Sequence, residues 1–175
     1  ATKSADQIYY EVREADKIEA LTRIIDRHPE FYGVIFCRTK LQCDEVGHIL
    51  QERGYDAEAL HGDLSQRERE IILRKMREKT IRILVATDVA ARGLDIQDLT
   101  HVINYSLPHD AEIYIHRVGR TGRAGKEGTA ITFITPSEAR RFSYIKKASK
   151  AEIRKEEIPT PKEVVERKRE LILEE

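Results

Sequence analysis

Short apolar runs, set between stretches with helical spacing, limit this chain to few folds. Val34-Ile-Phe-Cys37, Ile81-Arg-Ile-Leu-Val-Ala86, His101-Val-Ile-Asn-Tyr105 and Gly128-Thr-Ala-Ile-Thr-Phe-Ile134 are runs of this kind. Near-continuous apolar runs suit strands covered on both faces, as in a parallel sheet. Gln7-Ile-Tyr-Tyr-Glu-Val-Arg13 alternates and reads as a further strand, and Asp56–Leu60 as a short one. Between them Ile18, Leu21, Ile24 and Ile25 repeat at three and four residues until Pro29 stops the helix. Val46, Ile49 and Leu50 form the inner stripe of Lys40–Arg53, with Gly54 at its end. Ser65, with Glu68 three residues on, caps a helix expected to turn Ile71, Ile72 and Met76 inward. Asp110–Val118 is a helix, and Pro136 and Ser137 start another through Phe142 and Ile145. This alternation predicts an α/β fold: a doubly wound, mostly parallel sheet with helices on both faces. In such sheets ligands sit at the carboxyl ends of the strands. Arg38-Thr39, His61-Gly-Asp63, Thr87-Asp88 and Ser106-Leu-Pro108 each follow a strand directly and should share one rim.

The length of 175 residues fits one domain, and 40% hydrophobic with 35% charged residues is a globular composition. Lys plus Arg and Asp plus Glu balance at 31 each, so a nucleic-acid partner must be held by a local patch and not by the overall field. Cys37 and Cys43 form no CxxC pair and read as buried or free thiols in a reducing compartment, which points to the cytoplasm. No apolar run approaches the roughly 18 residues of a membrane span, and no signal-peptide pattern appears. The chain opens at Ala1 without Met and reads as a piece of something longer.

One segment points to ligand chemistry. Gly119, Gly122, Gly125 and Gly128 fall close together, and Arg117, Arg120, Arg123 and Lys126 recur every third residue among them. Glycines let a backbone approach a ligand closely. Arginine presents a planar fork that matches phosphate oxygens two at a time. Cations at this spacing suit a clustered anion such as a triphosphate or a nucleic-acid backbone.

His116-Arg-Val-Gly-Arg-Thr-Gly-Arg123 resembles the last signature motif of the DEAD-box ATP-dependent RNA helicases. Four more segments agree with that family in order: Val34–Thr39, His61–Arg69, Thr87–Asp95 and Val102–Pro108. The resemblance covers roughly residues 7 to 145 and implies the C-terminal RecA-like domain of such a helicase. In the whole protein that domain would help to unwind RNA with ATP and magnesium. This chain has neither a GxxxxGK[ST] phosphate loop nor an Asp-Glu-Ala-Asp sequence. In the family both lie on a preceding N-terminal RecA-like domain, which holds the nucleotide and Mg2+ in the main. The chain alone is therefore expected to be inactive as an ATPase and to bind neither cofactor by itself.

Residue by residue, the resemblance makes Arg120 and Arg123 the catalytic arginine fingers, which reach the γ-phosphate when the two domains close. It assigns Gly93 and Asp95 to the nucleotide, and Thr39, Gly62, Gln66, Arg69 and Thr87 to single-stranded RNA. Arg92 and His116 match positions that join the RNA site, the ATP site and the facing domain. His61 and His101 are read as structural. Hydroxyls, arginines and helix N-terminal amides bind phosphates without reading bases, and the ribose 2′-hydroxyl distinguishes RNA from DNA. Two positions depart from the family. Ser106 stands where an Asp is usual, which removes a charge from interdomain pairing. Ala124 stands where relatives often carry an aromatic over the adenine.

Residues 1–145 read as the RecA-like domain and 146–175 as a charged, helical C-terminal extension. Thr160 is the expected cap of that last helix, with Pro161 in its first turn and Glu163 as the reciprocal cap. Val164, Val165, Leu171 and Ile172 form only a thin apolar seam. The helix is either solvated or a docking or dimer helix. Ile158-Pro-Thr-Pro-Lys-Glu-Val164 resembles the end of the helicase core in bacterial cold-shock DEAD-box proteins, where a dimerisation segment follows. Two rival classes meet counter-evidence. RecQ-type DNA helicases carry Gln-x-x-Gly-Arg-Ala-Gly-Arg at this loop, and a dinucleotide oxidoreductase needs a GxGxxG after its first strand.

Overall fold

A computed structural model of the chain describes residues 5–121, 128–159 and 161–174. Strands β1 (Ala5–Glu11), β2 (Gly33–Cys37), β3 (Ala57–Leu60), β4 (Ile83–Thr87), β5 (His101–Asn104), β6 (Gly128–Ile134) and β7 (Arg154–Lys155) form one sheet in the order β3-β4-β2-β5-β6-β1-β7. Every pairing is parallel. Helices α1 (Lys17–Arg27), α2 (Lys40–Glu52), α3 (Gln66–Arg77), α4 (Asp88–Ala91), α5 (Ala111–Val118), α6 (Ala139–Ser149) and α7 (Pro161–Glu174) connect and extend it. The expected doubly wound α/β fold is thus the observed one.

The central strands show why the short apolar runs were informative. β2 and β4 are buried at all five positions each. Ile35, Val85 and Ile103 pack under α1 and α2 with Leu21, Ile24 and Leu50. Val34, Leu84 and Val102 face the other way, against Ile72 and Met76 of α3. Burying such a side chain contributes about 1.5–3 kcal/mol, so a register slip in a central strand would expose one layer to feed the other.

Local signals hold at the helix ends. Ser65 and Glu68 form the reciprocal cap of α3, Thr39 caps α2 by accepting from the Gln42 N–H, and Asp110 caps α5 through Ile113. Gly54 takes φ +88° just past α2, a conformation with little steric cost only for glycine. Ile71 departs from expectation: it is exposed on α3, and only Ile72 and Met76 turn inward. Consecutive residues sit about 100° apart on a helix, so Ile71 and Ile72 cannot share one narrow stripe.

Nothing in the residue pattern marks β7. Its two charged residues pair with Ile8 and Tyr9 of β1, and Arg154 is clasped by the Asp6 carboxylate. Charges on an outermost strand keep the sheet edge from recruiting another chain. The boundary read between 145 and 146 falls inside α6. Ile153 packs with Phe142 and Ile145 in one cluster, so residues up to β7 continue the sheet domain. Helix α7 lies against α1, and Arg23 donates to the Pro159 carbonyl at 3.4 Å. The expected cap Thr160 and the side chains of Glu163, Val164 and Leu171 lie outside the described residues; Val165 and Ile172 are exposed.

Candidate nucleotide and nucleic-acid interface

Because all strands run the same way, their carboxyl ends share one rim. Arg38-Thr39 follow β2, His61-Gly62-Asp63 follow β3, Thr87-Asp88 end β4 and begin α4, and Ser106 follows β5. The chain adds β3 and β4 on one side of β2 and β5, β6 and β1 on the other. Sheets of this kind open a crevice where the strand order reverses.

A single side chain organises the middle of the rim. Arg117, on α5, is 3% exposed. Its Nε donates to Asp88 Oδ1 at 2.7 Å and its Nη2 to Asp88 Oδ2 at 2.6 Å. Its Nη1 donates to Asn104 Oδ1 at 2.9 Å and to the Ser106 carbonyl at 3.2 Å, and the guanidinium lies 5.0 Å from the Phe36 ring centre. The expectation that Arg117 joins a row of ligand-facing cations is therefore corrected: its donors are spent inside the domain. The signal was available, because Tyr114, Arg117 and Val118 share the inner face of α5 at helical spacing. Asp88 is marked by the sequence only as a strand-end residue of the rim, and Asn104 and Gln42 are not marked as site residues at all.

Beside this hub lies a cavity of about 130 Å³, lined among others by Asp88, Arg92, His116, Arg117 and Arg120. Arg92, His116 and Arg120, drawn from two separate motifs, thus face one space. Arg120 Nη1 donates to the Leu94 carbonyl at 2.9 Å, which anchors the side chain at the turn before Asp95. Gly93 bends that turn with φ +72°, and Asp95 is exposed. Arg123 and Ala124 lie outside the described residues.

The residues matched to RNA contacts spread along the β3–β4–β2 side. Gly62 is exposed, and a side chain there would meet nothing within 4 Å. Gln66 is exposed in the first turn of α3 and donates to Glu70 at 3.2 Å. Arg69 reaches the Arg92 carbonyl at 3.3 Å, bridging α3 to the turn after α4. Thr39 is exposed, whereas Thr87 is buried and its hydroxyl accepts from the Ala90 N–H at 3.4 Å.

Supporting groups behave as their surroundings require. His61, read as structural, is buried. Its Nε2 lies 2.8 Å from Asp44 Oδ1 and its Nδ1 accepts from the Asp63 N–H at 3.3 Å, so the ring holds the Gly62 loop against α2. Lys40 hydrogen-bonds Asp63 and holds its carboxyl below the usual range. Ser106, where the family usually has Asp, donates to Gln42 Oε1 at 2.6 Å within the domain. Both thiols are buried and free; burial pushes the Cys43 thiol up to about 12 and raises that of Cys37 further. Among the described residues, no helix is long and apolar enough to cross a membrane.

Comparison with known proteins resolves the family. Residues 16–125 match the helicase conserved C-terminal domain. The chain is 47% identical, over 168 residues, to the DEAD-box ATP-dependent RNA helicase CshA of Geobacillus kaustophilus. It belongs to the DEAD-box helicases, as their C-terminal domain. The CshA match covers 96% of this chain and 36% of that protein, so the chain spans about a third of the length of that curated relative. A DEAD box protein from the hyperthermophile Methanococcus jannaschii superposes with a TM-score of 0.82 at 48% identity, covering 87% of this chain and 42% of its own. Saccharomyces cerevisiae Dbp5 bound to RNA and ADP BeF3 superposes with a TM-score of 0.86 at 32% identity, covering 96% and 46%. The RecA-like architecture of this DEAD-box domain is shared with these neighbours.

Proposed function

We propose that this chain is the C-terminal half of an ATP-dependent RNA helicase, supplying cations to a composite ATP site and part of a single-stranded RNA track. The convergence of Arg92, His116 and Arg120 on one cavity at the strand-end rim carries this reading. Phosphoryl transfer demands a phosphate cradle, a metal site and cations for the developing charge. The described residues fit only the last of these. Arg120, with Arg123, would stabilise charge on the transferred phosphoryl group, Asp95 would accept from the ribose, and Gly93 leaves its backbone open beside it. ATP supplies the phosphoryl group; Mg2+ and the phosphate cradle would belong to a preceding RecA-like domain, itself the first partner. Among the described residues no cluster of three His, Cys, Asp or Glu could hold a metal ion, and the chain alone is proposed to lack ATPase activity.

On the other half of the rim, the exposed Thr39, Gly62 and Gln66, with Arg69 and Thr87 beside them, form a track for phosphates and ribose hydroxyls. That CshA is named an RNA helicase and that Dbp5 was solved with RNA supports this assignment. We extend the RecA-like domain to β7, leave the C-terminal extension as the segment ending in α7, with dimerisation as one role for it, and place the protein in the cytoplasm. The test is RNA binding by the 175-residue chain. Affinity for single-stranded RNA should fall with salt at a log–log slope of about −0.7 per phosphate contact, and Arg69→Ala should flatten that slope by about one contact. Affinity that ignores salt, or RNA-stimulated ATP hydrolysis by this chain alone, refutes the proposal.

A further inference from the structure

Away from the strand-end rim, one helix face carries charge that its own domain leaves unbalanced. From Ala139 to Ala151, helix α6 and the residues that end it hold five cations, Arg140, Arg141, Lys146, Lys147 and Lys150, and no acidic residue. Overall composition does not account for this, since Lys plus Arg and Asp plus Glu balance at 31 each. Such a run is commonly a solvated face, where opposite charges three or four residues apart stabilise the helix. Helices α1 and α7 follow that pattern, with Glu19 paired to Arg23 and Glu170 to Arg167. Helix α6 has no such pair among the described residues. Two of its cations are committed to the domain. Lys146 lies over the Phe142 and Tyr9 rings, 5.0 and 5.4 Å from their centres, and Arg141 Nη2 donates to the Leu107 carbonyl at 3.4 Å. Arg140, Lys147 and Lys150 are exposed and, among the described residues, form no ion pair.

Tyr144 completes this face. Arg140, Tyr144 and Lys147 follow one another at four and three residues and so form one stripe. Tyr144 is 71% exposed, although Phe142 and Ile145 on the same helix are buried. An exposed ring among unpaired cations suits a single-stranded nucleic acid, whose bases stack on the ring while the cations follow its backbone. The stripe is also continuous with the rim. Glu138 Oε2, at the start of α6, faces both Arg141 and Arg38, the neighbour of Thr39, at 3.9 Å each. Strands β6 and β7 both run parallel to β1, so α6 between them leads back from the rim along the sheet. It carries Arg140, Tyr144 and Lys147 over about 10 Å. We propose that this face of α6 is an auxiliary single-strand site: it takes RNA that leaves the track at Thr39, with phosphates on Arg140 and Lys147 and one base stacked on Tyr144. The site lengthens the RNA footprint without choosing among bases, because every base has a face to stack. This inference rests on the RNA-binding reading above.

The test is fluorescence anisotropy of the 175-residue chain with labelled oligouridylates of about 6 and about 16 nucleotides, lengths within the range of single-strand sites. The longer RNA should bind more tightly and with the steeper salt dependence. Arg140→Ala combined with Lys147→Ala should flatten the log–log salt slope of the longer RNA by about 1.4, two contacts at about 0.7 each, and leave the shorter one unchanged. Tyr144→Ala should weaken binding of the longer RNA about tenfold, the effect of losing one stacked base, whereas Tyr144→Phe keeps the ring and should not. All three positions are exposed and alanine favours a helix, so the melting temperature should hold in each variant. A double variant that affects both RNAs equally, or neither, overturns the α6 site and leaves the phosphate track intact. Loss through the cations with Tyr144→Ala binding as well as Tyr144→Phe overturns the single-strand assignment, because a duplex or an acidic protein segment would be held by the cations alone. No salt-sensitive binding of either RNA overturns the RNA reading and the α6 site together.

Discussion

Removing the guanidinium of Arg117 should destabilise the domain more than any other single truncation on the rim. Arg117→Ala breaks a bidentate pair with Asp88 and withdraws the donor at Asn104 Oδ1 and the Ser106 carbonyl. Breaking a buried pair by removing one partner costs about 3–5 kcal/mol. The Asp88 side chain is 38% exposed and regains water, which points to the lower end of that range. Asn104 is fully buried and keeps only its Nδ2 bond to Thr132, so its orphaned oxygen adds about 1 kcal/mol. The sum is about 4 kcal/mol, a large part of a typical domain stability of about 5–15 kcal/mol. At about 2–4 °C per kcal/mol for a domain of this size, the melting temperature should drop by roughly 8–16 °C. Asp88→Asn keeps one acceptor but leaves the buried guanidinium without its counter-charge, and should lose about 3 kcal/mol. Urea unfolding of the three proteins measures this directly. A loss below about 1 kcal/mol for Arg117→Ala, with the m-value unchanged, would show that the network is not the anchor that its geometry describes.

Three further outcomes follow from individual sites. Burial pushes the His101 imidazole down to about 3, so the unfolded chain binds a proton that the folded one refuses. Stability is full above the ordinary histidine range and declines as the pH falls through about 6.5 toward 3, by up to about 1.4 kcal/mol per unit; denaturation at pH 7 and pH 5 should show a slope that His101→Gln flattens. A side-chain carbon at Gly33 would lie 2.6 Å from the His101 carbonyl, so Gly33→Ala should lose about 1–3 kcal/mol while Gly62→Ala leaves the melting temperature unchanged. In a protein that joins this chain to its ATP-binding partner domain, Arg123→Ala and Arg123→Lys should both lower RNA-stimulated turnover about 10³–10⁵-fold with ATP affinity changed only a few fold; near-normal turnover would move the finger role to Arg120.

The strand-and-helix alternation was legible in the residues because each signal is local. Apolar runs such as Val34–Cys37 record burial on both faces, and the Ser65–Glu68 cap and Gly54 mark helix ends within one turn. Parallel strands then oblige every strand-end loop onto one rim, so the shared location of Thr39, Gly62, Thr87 and Ser106 followed from the order of elements alone. β7 was not legible, because an edge strand of Arg and Lys has no apolar pattern and exists only through its register with Ile8 and Tyr9. Nor could spacing tell which arginines the fold buries. Arg117 and Arg120 differ by three positions in one repeating motif, yet helix α5 turns the first into the domain and carries the second to the rim of the cavity. Asp88 lies 29 residues from Arg117, and only the packing of α4 beside α5 brings its carboxylate within 2.6 Å of that guanidinium. Sequence determined which side chains this protein holds at its strand ends. Tertiary structure decided which of them it buries among the domain's own acceptors, as it does Arg117, because a donor is committed by whichever acceptor the fold brings within reach.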